Sequence, residues 1–250
     1  MNEWIIGRNP VYEVLRAGRR EIYQLRVARG TEEGGHLGDI LKLASQTGIS
    51  VEQVPRQQLH SLGSGHQGVA LQTSSYPYAE ITESFALAEK LEEPFLFLIL
   101  DVLKDPQNVG TLIRTAEAVG VHGVVLPYRQ TATITPAVVS ASSGASEHLL
   151  IAQANLAQTI AALKEEGAWV VGLEAGDEAQ PPGQINLSGP MVLVVGSEEQ
   201  GMRRLVRSSC DFLMELPMRG QVDSLNAAVA GSVALYLVWS ARNYLGYALP

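Results

Sequence analysis

The 250-residue chain has a single cysteine, Cys210. No intramolecular disulfide can form, and a thiolate-rich zinc centre lacks its ligands, so no metal site is expected. No stretch approaches the roughly 18 to 20 consecutive apolar residues that a membrane span needs. The opening MNEWIIGRNP has no basic segment followed by a long apolar core. A cytoplasmic protein with no membrane partner is the expectation. Positive charge is also scarce, since 18 Lys+Arg stand against 26 Asp+Glu for a net charge of −8. That excludes binding of DNA or RNA through a global basic field, because phosphate contacts supply most non-specific affinity. The deficit is uneven, however. Residues 1–80 carry eight of each sign, and seven of the eight cations are arginines, whose planar guanidinium suits contacts to phosphate and bases.

What is present is apolar: 46% hydrophobic residues suffice for a small and a medium domain. From residue 95 onward, short apolar runs alternate with helical patterns. The runs are FLFLILD (95–101), VHGVVLP (121–127), LLIAQ (149–153), AWVVGL (168–173) and MVLVVG (191–196), separated by helical segments such as 109–119 and 155–166. Continuous apolar runs of this length predict strands buried on both faces of a mostly parallel sheet, an α/β fold. A last run, DFLMELP (211–217), leads into a helical pattern from about Ser224 to Leu245.

Residues 1–73 read as a separate small α/β module, with helices near 10–17 and 36–47 and strands at 21–27, 49–54 and 68–73. The stretch 74–94, bounded by Pro77 and Pro94, reads as a linker with a weak helix. The expected partition is therefore 1–76, a linker at 77–93, and a larger domain at 94–250. Gly63, Gly65 and Gly68 satisfy the GxGxxG pattern, but that pattern marks a dinucleotide site only between a strand and a helix. Here a strand-like run follows it, which disfavours a nucleotide-linked oxidoreductase.

Three segments combine polar residues with strand ends. In DVLKDPQNVGTLIRTAEAVG (101–120), a strand ends at Asp101, Pro106 turns the chain, and Asn108 is placed to cap a helix carrying Arg114 and Glu117, three residues apart and so able to pair. In VVGSEEQGMRR (194–204), Gly196 follows a buried strand, where a missing Cβ lets backbone approach a ligand, and Ser197 and Glu198 supply polar groups. In LPMRGQVDSLNAAVAGSVALY (216–236), Asp223 or Ser224 is placed to cap a helix whose Ala227, Ala228, Ala230, Gly231 and Ser232 give a thin surface for close packing. Each segment alone has an ordinary structural explanation: a solvated ion pair, a strand-to-helix turn, a buried helix.

Together, in this order and spacing, NVGTLIRTAEAVG, GSEEQGM and LPMRGQVDSLNAAVA resemble the three signature motifs of the SpoU (TrmH) branch of the SPOUT RNA 2′-O-ribose methyltransferases. The strings IIGRNPVYEVL (5–15) and HQGVA (66–70) resemble the opening and closing of the L30e-like substrate-binding domain attached to many members. Among members, the two domains together look most like bacterial enzymes that methylate a guanosine ribose in 23S ribosomal RNA. Glu199 stands where members often have Gly, and Ala227 and Ala228 where they often have Val-Ser.

The resemblance implies a deep trefoil knot in the C-terminal part, an exception to the rule that chains do not thread their own loops. It implies S-adenosylmethionine as cofactor, contacted by backbone of Gly196, Leu216 and Leu225 and lined by Leu173, Met218 and Ala228. It implies a homodimer, a catalytic role for Arg114, and Asn108, Glu198, Ser224 and Asn226 as the residues that orient it and the ribose. None of the three motifs contains a histidine. His122 and His148 stand at strand starts and read as structural. An arginine, with a pKa above about 12, is no literal base at neutral pH, so Arg114 is expected to hold a phosphate and stabilise alkoxide character on the 2′-oxygen. Transfer RNA as substrate and a non-catalytic RNA-binding protein are the alternatives.

Overall fold

The structure is a computed structural model describing residues 2–222 and 224–247. The chain divides into two compact units, one formed by the chain up to Pro77 with Ile134–His148, the other by Tyr78–Thr133 and the chain from Leu149 onward.

In the first unit, β1 (Asn2–Ile6), α1 (Arg8–Ala17), β2 (Ile22–Ala28), α2 (His36–Gln46), β3 (Val51–Val54), α3 (Arg56–His60) and β4 (Val69–Ser74) follow in sequence. The strands form one sheet ordered β1-β4-β2-β3, antiparallel except between β2 and β3. α1 buries Pro10, Val11, Val14 and Leu15, a one-sided stripe, and ends at Gly18 in the left-handed conformation. β1 and α3 were not legible in the apolar pattern. Gly63, Gly65 and Gly68 lie between α3 and β4, so no strand feeds a helix there and the dinucleotide reading has no structural basis.

The second unit opens with α4 (Ile81–Leu91), closed at its start by a reciprocal capping box between Glu80 and Glu83. It continues with β5 (Leu96–Leu100), α5 (Pro106–Ala118) and β6 (Gly123–Leu126). After β6 the chain makes an excursion, α6 (Pro136–Ala141) and a 3-10 turn at Ala145–Glu147, which belongs to the first unit. β7 (Ile151–Gln153), α7 (Leu156–Glu165), β8 (Trp169–Leu173), β9 (Met191–Val195), α8 (Arg204–Ser208), β10 (Phe212–Met214) and α9 (Ala227–Ala241) complete the unit. The partition expected from composition follows the chain. The compact units do not: 134–148 joins the first, and most of the expected linker folds as α4 in the second.

The six strands of the second unit lie in the order β10-β8-β9-β5-β6-β7, and every neighbouring pair is parallel. Every residue of β5 and β9 is buried, as covered central strands require. On one face, Phe97, Ile99, Val192 and Val194 pack with Leu156, Ile160, Leu163 and Val206 of α7 and α8. α9 packs with α5 at Gly231, where an added Cβ would fall 2.5 Å from Leu112 and 3.1 Å from Val195. The chain runs outward from β5 to β6 and β7, then returns to build β8, β9 and β10 on the other side. The carboxyl ends of β5 and β9 thus flank a topological switch point, where open α/β sheets form their crevices.

Candidate active site

The loops leaving β8, β9 and β10 and the start of α9 enclose a cavity of about 390 Å³, within the size range of small-molecule sites. Its apolar wall comprises Leu173, Val195, Met214, Leu216, Met218 and Leu225. Its polar wall comprises Glu174, Ser197, Glu198, Glu215, Ser224 and Asn226.

The loop after β9 is tightly self-bonded. Ser197 and Gly201 exchange both backbone hydrogen bonds at 3.1 and 2.9 Å, and the Ser197 hydroxyl accepts from Gln200 N at 3.2 Å. Gly201 takes φ +64°, the left-handed region. A Cβ on Gly196 would lie 2.4 Å from Gly201 C and Met202 N. The approach that requires glycine at 196 is therefore the chain's own turn, not a ligand. That turn is fastened to the end of β5 by buried Asp101, whose carboxylate accepts from Arg203 N and Nε, both at 2.7 Å.

Three residues far apart in sequence meet at the cavity mouth. Glu198 Oε1 accepts from Asn108 Nδ2 at 3.0 Å and Ala227 N at 3.2 Å, and from Asn226 Nδ2 in a short contact. Asn226 Nδ2 also donates to Asn108 Oδ1 at 3.1 Å. Asn226 Oδ1 meanwhile accepts from Ala228 N at 2.9 Å and Val229 N at 3.1 Å. Two backbone N–H groups facing one end of the amide fix which way it points. A carboxylate beside the N-terminus of α9 also gains from the helix dipole.

The network revises both expected helix caps. Asn226 caps α9, not Ser224; Asp223 lies outside the described residues. Asp105 caps α5, its side chain accepting from Gln107 N at 2.9 Å with Pro106 in the first turn. This leaves Asn108 inside the helix and free to face Glu198.

Of the residues singled out in sequence, Leu173, Gly196, Glu198, Leu216, Met218, Ser224, Leu225 and Asn226 line the cavity, and Asn108 reaches its rim through Glu198. Ala228 does not line it; it is buried, and Ala227 and Ala230 stand there instead. Arg114 is exposed and lies outside the cavity. Six residues beyond Asn108 on α5, it sits about 9 Å further along the axis and about a third of a turn around. Glu199, the departure from the family pattern, lines an adjoining cleft with Lys104 and Asn108.

Glu174 and Glu215 went unnoticed in the sequence. Each follows the last residue of a strand, β8 and β10, and that position was the available signal. Glu174 Oε1 accepts from Arg207 Nε at 2.6 Å. The histidines are structural. His122 is buried, its Nδ1 accepts from Leu96 N at 3.1 Å, and burial holds its pKa below the ordinary value. His148 Nε2 meets Glu13 Oε2 at 2.7 Å in the first unit. Burial pushes the half-buried Cys210 thiol up to about 12, which disfavours the nucleophilic thiolate.

The chain is similar to known proteins in sequence and in fold. A model described as the SpoU rRNA Methylase family matches residues 95–236, and one described as RNA 2′-O ribose methyltransferase substrate binding matches residues 4–79. The chain is 43% identical over 249 residues to YacO of Bacillus subtilis, named as a TrmH family tRNA/rRNA methyltransferase, covering 98% of each. It is 41% identical to a similarly named protein of Staphylococcus saprophyticus, covering 97% of each. The crystal structure of AviRb from Streptomyces viridochromogenes, a SpoU methyltransferase in complex with AdoMet, shares the fold, with a TM-score of 0.78 at 21% identity over 98% of this chain and 92% of that one.

Proposed function

This chain belongs to the SpoU rRNA methylase family of TrmH/SpoU RNA methyltransferases, and from that premise we propose that it transfers a methyl group from S-adenosylmethionine to a ribose 2′-oxygen, on a guanosine of 23S ribosomal RNA. The observation that carries the reading is the joining of Asn108, Glu198 and Asn226 at the mouth of an apolar cavity. It brings all three sequence motifs to one point.

The cavity fits the cofactor by its chemistry. Leu173, Met218 and Leu225 offer apolar surface to an adenosyl group, and the carboxylates of Glu174, Glu198 and Glu215 suit a ligand bearing positive charge. The bound cofactor supplies an electrophilic methyl on a sulfonium. In this reading Gly196, Leu216 and Leu225 hold the adenosyl moiety through backbone groups, and the chain from β9 to α9 forms the deep trefoil knot.

Held there, the cofactor would supply its methyl group to the ribose 2′-oxygen, whose proton would leave to solvent. Arg114 holds the adjacent phosphate in its guanidinium fork and stabilises the charge that develops on the oxygen. Asn108, Glu198, Ser224 and Asn226 orient the ribose. Arg114 lies outside its own chain's cavity, which favours a role in a partner's site. α9 supports a homodimer. Its inner stripe of Ala227, Ala228, Gly231, Ala234, Leu235 and Val238 is buried, while Val229, Val233 and Tyr236 form a second apolar stripe that is exposed. A helix apolar on both sides calls for a second packing partner. The small residues thus serve the contact with α5, and the larger ones remain for the dimer.

The substrate is tested by mapping ribose 2′-O-methylation across ribosomal and transfer RNA in a strain lacking the protein. Loss of a single guanosine mark in 23S ribosomal RNA is expected. A mark lost from transfer RNA, with all ribosomal marks intact, overturns the ribosomal assignment.

A further inference from the structure

The second unit has another cleft, at the carboxyl ends of β6 and β7, that the cofactor site does not use. It has a volume of about 520 Å³ and is lined by Tyr128, Arg129, Gln130, Asn155, Leu156 and Arg203 among others. Its floor is the apolar side of α7 and α8, Leu156 and Val206, both buried. Above the floor stand Tyr128, 66% exposed, and Leu205, 65% exposed. A tyrosine and a leucine left this bare beside arginines are not required by packing.

Both arginines keep donors available to a ligand. Arg129 makes no hydrogen bond or ion pair among the described residues. Arg203 gives only its backbone N and Nε to Asp101, leaving both terminal nitrogens available on a side chain 45% exposed. The loop that presents Tyr128 and Arg129 is held in place. Thr131 Oγ1 and Ala132 N both donate to Leu103 O, at 2.9 and 2.8 Å, tying it to the loop after β5. Two non-glycine residues in these loops, Val102 at φ +61° and Gln130 at φ +63°, occupy the left-handed region. For β-branched Val102 that conformation costs energy and persists only where surroundings impose it.

Position gives the cleft its meaning. Along the carboxyl edge the order β9-β5-β6 puts it two interstrand spacings, roughly 10 Å, from the loop holding Glu198. The intervening groove is lined by Leu103, Lys104, Asp105, Asn108, Glu198 and Glu199, so its phosphate contacts must come from the cleft beyond it rather than from the groove itself. A strand whose acceptor ribose lies at Asn108 and Glu198 therefore passes Tyr128 with its next nucleotides. An exposed aromatic ring beside guanidinium donors is an arrangement that stacks a base and contacts its phosphate. Arg129, with no acidic partner among the described residues, supplies a local positive charge in a chain whose net charge is −8.

We propose that the cleft between Tyr128 and α7 stacks a nucleobase flanking the methylated ribose, with Arg129 and Arg203 on the adjoining phosphates. The proposal rests on the methyltransferase reading for its register, but not for the binding itself. The test uses the full-length protein, a fluorescein-labelled single-stranded oligoribonucleotide, and unmodified 23S ribosomal RNA transcript, comparing wild type with Tyr128→Ala, Tyr128→Phe and Arg129→Ala.

Tyr128→Ala is expected to weaken oligoribonucleotide binding and raise KM for the transcript by about tenfold, the scale of one base–aromatic stack, with S-adenosylmethionine affinity and Tm unchanged. Tyr128→Phe keeps the ring and stays within about twofold of wild type. Arg129→Ala lowers the salt dependence of binding by about one counterion. Unchanged RNA affinity and KM in Tyr128→Ala overturns the proposal and leaves the face to some other partner. Equal loss in Tyr128→Phe overturns stacking as its basis. If wild type transfers no methyl but loses RNA affinity with Tyr128→Ala, the enzymatic reading fails while this binding site stands.

Discussion

Two polar networks join distant parts of this chain, and they differ in almost everything else. In the first unit, Arg20 and Glu147 form a bidentate pair at 2.9 and 2.8 Å with no exposed side-chain surface on either. Arg20 Nη1 also reaches Glu3 at 2.9 Å and Ser74 O at 3.3 Å. At the carboxyl edge of the second unit, half-buried Asn108 and exposed Glu198 and Asn226 join three elements. The buried pair engages all three guanidinium nitrogens of Arg20, so its work is to hold the 134–148 excursion to the first unit. The open network leaves a cavity beside it, and its groups remain able to meet a substrate. Residue type does not separate the two roles; burial and satisfaction do.

The comparison can be broken from either side. The largest effect is expected in the buried pair. Arg20→Met leaves the buried Glu147 carboxylate uncompensated and is predicted to lower unfolding free energy in urea by about 3 to 5 kcal/mol; Glu147→Gln costs less, because Arg20 keeps its pair with Glu3. Arg20→Met with Glu147→Leu together recovers most of that loss, because the remaining charge is gone. A single substitution costing under about 1 kcal/mol, the scale of an exposed pair, puts the two networks in the same class.

Next, Arg114→Ala is predicted to reduce turnover at saturating cofactor by about 10² to 10³-fold, the scale of losing one charge-stabilising donor, with Tm unchanged. Arg114→Lys does not restore it, since a point charge lacks the guanidinium fork. Near-full turnover in the lysine variant contradicts the phosphate-holding role.

A smaller effect separates the two jobs of Asn226. Asn226→Ser keeps an oxygen to cap α9 and is expected to change stability by only a few tenths of a kcal/mol. It removes the amide donor to Glu198, and turnover falls by about tenfold or more, as for a hydrogen bond to a charged group. Asn226→Ala adds the cap loss of about 1 kcal/mol. Equal activity in the serine variant assigns the residue to the helix alone.

The smallest effect comes from His122. Burial lowers its pKa below 6.5, so as pH falls past 6.5 the unfolded chain takes up a proton that the folded chain refuses. Stability then declines toward acid. Replacing His122 with Gln flattens the stability profile below about pH 6.5; an unchanged slope assigns the loss to other groups.

Sequence patterning revealed one half of this comparison far better than the other. The central strands β5, β6 and β9 were visible as apolar runs because burial on both faces leaves no polar residue to interrupt them. The site was visible because its residues follow strand ends and form ordered motifs. Arg20 and Glu147 were invisible as a pair: 127 residues apart, they read as two ordinary charges until the excursion carries one to the other. The caps were misplaced because Asp105 and Asn108, and likewise Ser224 and Asn226, are all good capping types a few residues apart. Only the backbone turn selects among them. Gly196 was legible as a required glycine, but the cause, contact with Gly201 and Met202, depends on how the following turn folds back.

The central claim is methyl transfer to a ribose oxygen of ribosomal RNA. Its most direct test incubates purified protein with S-adenosylmethionine and unmodified 23S ribosomal RNA or transfer RNA transcripts, then digests them to nucleosides for mass spectrometry. The account predicts 2′-O-methylguanosine from the ribosomal transcript alone. A methylated base with an unmodified ribose, or no methylated nucleoside from either transcript, contradicts it.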